Sequence, residues 1–499
     1  MASSVSSAKG TGSAEIRARL GHPVVDADGH AIEHGPVFLD YLKQVAGPEV
    51  RDRYVAFMNA GGWFGMTPAE RRRQRLFRPS SWTLPTKNTL DRATAMLPRL
   101  FRERMDDFGL DFSVVYSTMA LGITRFADEE LRRATCRALN TMFADIFRDQ
   151  SDRMTPVAAI PTHTPDEAIT ELDHAVQELG FKAVMITSNV RRPIEAVADK
   201  HPELGRHASF MDTLCMESPY NYDPLWARCM EHKVAVTSHT PATGYGSRVV
   251  SHQYVHNHVG SFAASGEAFA KALVLSGVTR RFPQLKFAFL EGGVAWACEL
   301  YAGLVSHCGK RNSQSIRNYD PRNIDAERLA DLFAQYGQGL VQGRPDPSDP
   351  DFLRSPVGWN QLKDDLIAHE LDALAIESAE DLRRLFEPNF YFGCEADDPL
   401  VALAFNRKMN PFGARLKAMF SSDIGHWDVP DMTRVLEEAY ELVEKELIDD
   451  SEFREFTFVH PATLHAGMNP AFFNGTVVEK EVKALLAESE NAPAPRGDK

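Results

Sequence analysis

Short apolar runs recur along the chain, each followed by polar residues and many by a helical pattern. Val24-Val25 leads into Asp26, Phe112–Tyr116 follows a Gly-Leu-Asp turn, Thr155–Ile160 ends at Pro161, and Ala183–Ile186 follows Gly180. Val234–Val236 leads to Thr237-Ser238-His239 and Phe287–Leu290 to Glu291. Phe390–Phe392 leads to Gly393-Cys394-Glu395, and Ala418–Phe420 to Ser421-Ser422-Asp423. These are eight candidate strands. Segments between them, such as Asp128–Arg148 and Asp166–Leu179, carry helical periodicity. Strand alternating with helix predicts an α/β fold with a parallel sheet, and eight such units predict closure into a (β/α)8 TIM barrel.

Two stretches break the repeat. Gly35–Leu100 contains Trp63, Trp82 and several prolines, and Lys310–Pro388 separates the sixth and seventh runs. Both exceed ordinary barrel connections, which run to a few residues. They are expected to be cap or oligomer-contact elements, with Trp82, near Pro85 and Thr86, over the barrel mouth or in a subunit contact. The alternative is decoration remote from the site. Both ends are poor in apolar residues, so residues 1–20 and 486–499 are expected to be disordered tails around a barrel spanning 21–485.

Composition narrows the function. The chain has 499 residues, 43% hydrophobic and 25% charged, enough for a sizeable core and about twice the roughly 250 residues of a plain barrel. A formal charge of −14 argues against a general nucleic-acid binder. No apolar run suits a membrane span and the N-terminus lacks a signal-peptide core, so no membrane partner is expected. The six cysteines (Cys136, Cys215, Cys229, Cys298, Cys308, Cys394) form no C-x-x-C pair. That usage predicts a cytoplasmic protein with reduced thiols. A small-molecule substrate is the expected partner, with a homo- or hetero-oligomer left open.

Residues able to bind a metal stand just past the apolar runs, where a barrel places its catalytic face. In Asp26-Ala27-Asp28-Gly29-His30, strand alternation puts Asp26, Asp28 and His30 on one face. His239 ends the fifth run and Asp423 the eighth. Each has a bland reading: a solvated polar turn, a structural histidine, a helix cap. Their shared position on strands one, five and eight favours one metal site.

At these residues the sequence resembles the amidohydrolase-related group that includes aminocarboxymuconate-semialdehyde decarboxylase and the resorcylate-type decarboxylases. The segment D-A-D-G-H-A-I-E resembles that family's first-strand motif. Phe282-Pro283-Gln284-Leu285-Lys286 leading to Glu291-Gly292-Gly293 resembles its sixth-strand region, and Ser422-Asp423-Ile424-Gly425-His426-Trp427-Asp428 its closing signature. The resemblance runs from about Val24 to Leu464. It implies that Asp28, His30, His239 and Asp423 hold one divalent cation, often zinc or manganese; Glu291 is a further candidate ligand from its own place after the sixth strand, and a mixed carboxylate and histidine shell would also suit iron. Asp423, Glu291 and His426 are then the candidate catalytic residues. The implied chemistry is polarisation of a carboxylate or carbonyl, or generation of hydroxide.

Two departures stand out. Glu291 occupies the position where the family commonly has a histidine. Ile186-Thr187-Ser188-Asn189 offers no lysine for a carbamylated bridge, and Lys182 comes too early in that strand. Beside a cation, Glu291 is expected to be ionised and to act as ligand or base. One of His256 and His258 could face the site, and Glu395-Ala396-Asp397-Asp398 could line it. Gly244-Tyr245-Gly246 is a loop signal without a dinucleotide context, and no G-x-S-x-G elbow is present. Three readings follow. The first is a metal-dependent hydrolase or decarboxylase of a small carboxylate- or carbonyl-bearing substrate. The second is a dinuclear iron or manganese monooxygenase, drawing on Asp26, Asp28, Glu33, Glu291 and Asp423 beside His30 and His239. The third is a non-catalytic barrel subunit.

Overall fold

The computed structural model describes residues 11–60, 66–77, 87–205, 207–241, 248–312, 314–319, 323–337, 339–340, 342–346, 348–353 and 371–491. All eight apolar runs form strands: β1 (Val25–Ala31), β2 (Phe112–Ser117), β3 (Met154–Ile160), β4 (Ala183–Ile186), β7 (Val236–Ser238), β8 (Phe287–Phe289), β9 (Phe390–Cys394) and β10 (Lys417–Phe420). They pair in parallel in that order. The last element returns to the first. The Asp423 amide donates to the Asp28 carbonyl at 3.0 Å, and the His30 amide to the Ile424 carbonyl at 2.7 Å. These two bonds close the (β/α)8 TIM barrel.

Both faces of the strands are buried, as parallel strands flanked by helices require. Inside β1 even Asp26, Asp28 and His30 are almost wholly excluded from solvent. The sequence pattern did not show the short antiparallel hairpin β5 (Val190–Pro193) and β6 (Ser209–Asp212), which follows β4. It is pinned by Arg192, whose guanidinium pairs with Asp212 at 3.0 Å and reaches the His163 carbonyl at 2.7 Å.

Part of each expected tail is helical. Residues 12–19 are not a disordered tail but a helix, Gly12–Arg19, capped by the Thr11 hydroxyl. Ser13 is buried and accepts from the Leu436 and Glu437 amides, while Arg17 pairs with Asp111. At the other end a helix, Glu479–Asn491, runs past residue 486. The first insertion is largely helical: Gly35–Ala60, kinked at Gly47, then Pro68–Gln74 and Thr89–Met96. Trp63, Trp82, Pro85, Thr86 and Gly244-Tyr245-Gly246 lie outside the described residues, as do residues 354–370 of the second insertion. Among the described residues no helix is long and apolar enough to cross a membrane. All six cysteines are free thiols.

Candidate metal centre

β1 supplies two buried donors, Asp28 and His30, two residues apart on the strand. The strand is irregular there: its register against β2 slips between Asp26 and Gly29. Asp26 therefore does not join Asp28 and His30, contrary to simple alternation. Its carboxylate accepts from the Ser113 hydroxyl at 2.8 Å, the Ser422 hydroxyl at 2.8 Å and the Ser422 amide at 2.9 Å. Asp26 is a brace between β1, β2 and the end of β10. Gly29 leaves room for it, since a Cβ there would come within 2.7 Å of both the Asp26 carboxylate and the Ser113 hydroxyl.

Asp28, His30 and His239 converge. His30 Nε2 lies 3.3 Å from Asp28 Oδ1 and 3.0 Å from His239 Nε2, and His239 Nε2 lies 3.3 Å from Asp28 Oδ2. Asp423 joins from the end of β10, with Oδ1 3.3 Å from His30 Nε2 and 2.7 Å from His426 Nδ1. Glu291, from the end of β8, brings Oε2 within 3.6 Å of His239 Nε2. The four donors implied by the family pattern thus meet at one mouth, with Glu291 and His426 at its edge. The peptides of Glu291 (φ 55°) and Asp423 (φ 50°) both adopt the left-handed conformation that branched side chains resist. Two acids held in that rare conformation at one mouth fit a site built for function.

The donors fit a cation. Both oxygens of Asp28, Oδ2 of Asp423 and Oε2 of Glu291 are buried with no hydrogen-bond partner among the described residues. Buried carboxylate oxygens are costly when unpaired, so a set this dense calls for a positive partner. The imidazole–carboxylate mix suits zinc, manganese or iron.

Charge is arranged unevenly. Burial pushes Asp28 up, but His239 and His30 outweigh it and hold the acid down at about 2. Burial keeps His30 and His426 below the ordinary histidine range, so both are neutral imidazoles. Burial, with Asp428 and Glu395 beside it, drives Glu291 well above the carboxylate range. Without a cation this favours the neutral acid; the expectation of an ionised Glu291 applies beside a cation. Asp423 is also driven up, by burial and by Glu291 and Asp428.

The remaining candidates separate. His258 faces the mouth, with Nε2 4.0 Å from Glu291 Oε1 and 3.8 Å from Asp428 Oδ2, whereas His256 is exposed. Glu395 lines the mouth, raised to about 8 by burial and Asp428. Glu33 takes no part: its carboxyl is bound by the Ser117 hydroxyl and the Met119 amide. Lys182 sits at the opposite end of β4 and donates to the Phe472 carbonyl at 3.1 Å. Asp428 also faces the mouth, and nothing local in the sequence marks it as a donor beyond its place two residues after His426. A cavity of about 840 Å³ lies elsewhere, between the helices Ser261–Leu275 and Ala295–Arg311. None of the donors named above lines it, so chemistry rather than volume locates the site.

The family model described as "Amidohydrolase" matches residues 95–338. That match and the barrel agree with the amidohydrolase resemblance carried by the strand-end motifs. Similar solved structures include a dihydroxybenzoic acid decarboxylase from a Polaromonas species with bound manganese and 2-nitroresorcinol. It is 14% identical, with 89% of this chain and 97% of that chain covered and a TM-score of 0.45. A 2,6-dihydroxybenzoate decarboxylase from Rhizobium is 14% identical, covers 89% and 98%, and gives 0.45. A 5-carboxyvanillate decarboxylase from Novosphingobium aromaticivorans, complexed with manganese, is 14% identical, covers 89% and 96%, and gives 0.44.

Proposed function

We propose that this protein is a metal-dependent hydrolase or carboxy-lyase acting on a small carboxylate- or carbonyl-bearing substrate, with its cation held by Asp28, His30, His239 and Asp423. The observation that carries this reading is the convergence of those four side chains with buried, unpartnered oxygens. When bound, a divalent cation would act as a Lewis acid toward a substrate oxygen. Asp28, held ionised, and His30, kept neutral by burial, supply donors already in their ligating protonation states, and His239 stands beside them. Asp423 and His426 share a contact of 2.7 Å, and His426 Nε2 reaches the Thr118 hydroxyl at 3.1 Å. Through that chain Asp423 can give up or regain a proton at Oδ1. This is the step needed when a carbon loses carboxylate and takes a proton, or when a leaving group departs.

A second reading is a dinuclear iron or manganese oxygenase. The carboxylates beyond the first donor set favour it, namely Glu291, Glu395 and Asp428. Turnover of hydroxylated benzoates and of simple amides or esters, followed with manganese- or zinc-loaded protein, tests the first reading. Release of carbon dioxide or hydrolysis product without oxygen supports it. Substrate-dependent oxygen uptake would replace it with the second. Glu291→Gln should lower turnover at least tenfold while the fold survives, and unchanged metal content and turnover would remove Glu291 from the site.

A further inference from the structure

We propose that Lys417, at the end of the barrel opposite the metal centre, is an acylation site whose amine takes an acyl group from small anionic donors of the acyl phosphate kind, drawn in by the neighbouring Lys286. The site stands apart from the metal-binding residues. Lys286 directly precedes β8, Lys417 opens β10, and Tyr391 of β9 lies between them, opposite Lys417 in register. Both side-chain nitrogens converge on that ring, Lys417 Nζ at 4.7 Å and Lys286 Nζ at 5.8 Å from its centre. They also share one turn, where Lys417 donates to the Glu387 carbonyl and Lys286 to the Pro388 carbonyl at 3.3 Å.

Two amines gathered on one ring and one turn repel each other when both are charged, and carbonyl oxygens alone do not neutralise them. Among the described residues no carboxylate forms an ion pair with either. Glu387 is the nearby acid, but its carboxylate is engaged, accepting from Arg383 Nε at 2.6 Å and from the Arg415 amide at 3.2 Å. The other charged or titratable neighbours have partners of their own: Arg415 pairs with Glu455 at 3.1 Å, and His460 Nδ1 donates to the Ala418 carbonyl at 2.8 Å. Crowded like charges favour release of a proton. Burial, then Lys286, accordingly holds Lys417 down at about 7, with Lys286 outweighing Glu387.

A lysine beside another cation is an activated amine nucleophile. At neutral pH about half of Lys417 is free amine, against fewer than about one in a thousand of an ordinary lysine. Both side chains are partly exposed, so a small donor reaches them. In the step itself the Nζ lone pair attacks the acyl carbon and a C–N bond forms. The C–O bond to the phosphate breaks with its electron pair, inorganic phosphate leaves, and the proton shed by nitrogen passes to water. The Lys286 ammonium offers the phosphate an opposite charge as it arrives and as it departs. The resulting amide keeps one N–H for the Glu387 carbonyl and leaves one cation over Tyr391 in place of two.

Acetyl phosphate is the probe. Full-length protein is treated with it near pH 7, and initial acetylation rates at each lysine are read by peptide mass spectrometry. Lys417 should react at least about tenfold faster than the ion-paired surface lysines Lys271 and Lys445. Lys286→Met should slow Lys417 at least about fivefold, because it returns the proton to the amine and removes the charge that meets the phosphate. A rate at Lys417 no higher than at Lys271 and Lys445, or one unmoved by Lys286→Met, would overturn the proposal. The pH profile of the wild type decides even if that variant does not fold. Between about pH 8 and 9.5 the rate at Lys417 should level off while that at Lys445 keeps rising. Parallel rises at the two lysines would show Lys417 to be an ordinary amine.

Discussion

Asp28 and Glu291 share one mouth yet are driven in opposite directions. Asp28 has two imidazoles against it and stays ionised, whereas Glu291 faces carboxylates and does not. The first is ready to bind a cation at once, and the second becomes a ligand only as a cation arrives. Asp28→Asn is therefore expected to weaken manganese affinity by more than about 100-fold, the upper end of what even outer-shell partners contribute. The same change removes a buried carboxylate whose oxygens lack hydrogen bonds, so the metal-free variant should melt no lower than the metal-free wild type. Calorimetry on chelator-treated and manganese-loaded protein checks both halves. A large fall in the metal-free melting temperature would show that Asp28 is structural.

At the scale of elements, closure of the barrel and assembly of the site are one event. The end of β10 must lie along β1 for Asp423 to meet His30, and Asp26 holds the two together through Ser422. Gly425 (φ 101°) allows the approach, since a Cβ there would sit 2.5 Å from the His30 carbonyl. Outside the barrel, the helix Thr89–Met96 supports the following loop: Asp91 accepts from the Met432 amide at 2.8 Å and pairs with Arg104 at 2.6 Å. The described part of the first insertion thus abuts the segment that carries His426 and Asp428. Asp26→Asn keeps shape but mismatches the donors around it. It should cost about 2 kcal/mol, the range for hydrogen bonds to a charged group. Urea unfolding measures the loss. Loss of metal with no loss of stability would make Asp26 a ligand instead.

Across the whole molecule, the two ends of the barrel have different electrostatics. The catalytic mouth gathers carboxylates. The opposite end gathers lysines: Lys417 donates to the Glu387 carbonyl and Lys286 to that of Pro388, with both ammonium groups over the Tyr391 ring. Burial, then the neighbouring Lys286, lowers Lys417 to about 7. From about pH 7 to about 10.4 the unfolded chain keeps that proton while the folded chain has lost it, so this group adds stability as pH rises. Lys417→Met should flatten the rise: the variant's urea midpoint should climb less between pH 7 and 9.5 than that of the wild type. His460 and His465 act at the acid end. Burial lowers both to about 3, so the unfolded chain takes up protons first as pH falls below about 6.5. Stability then declines from about 6.5 towards 3. A melting temperature that holds steady over that range would contradict the buried neutral state of these rings.

The linear pattern of apolar runs determined the eight strands, their parallel order and the end of the barrel that carries chemistry. These depend on local alternation and on the right-handed crossover, which each βα unit satisfies by itself. Asp28, His30, His239 and Asp423 were legible for the same reason: each lies on or just past a strand. Tertiary structure decided the rest. Asp26 looks like a third donor in alternation, and only the register slip against β2 turned it into a brace. The helix Gly12–Arg19 has too weak an apolar stripe to be seen alone, and it is ordered by contact with a helix more than 400 residues away. His258 and His256 are two residues apart and equivalent in the sequence. Stacking on Tyr254 and an edge-on contact with Trp427, two rings that come together only in the fold, aim one at the carboxylates and leave the other in solvent. A donor's residue type is written in the chain, but its direction depends on neighbours that folding brings from elsewhere.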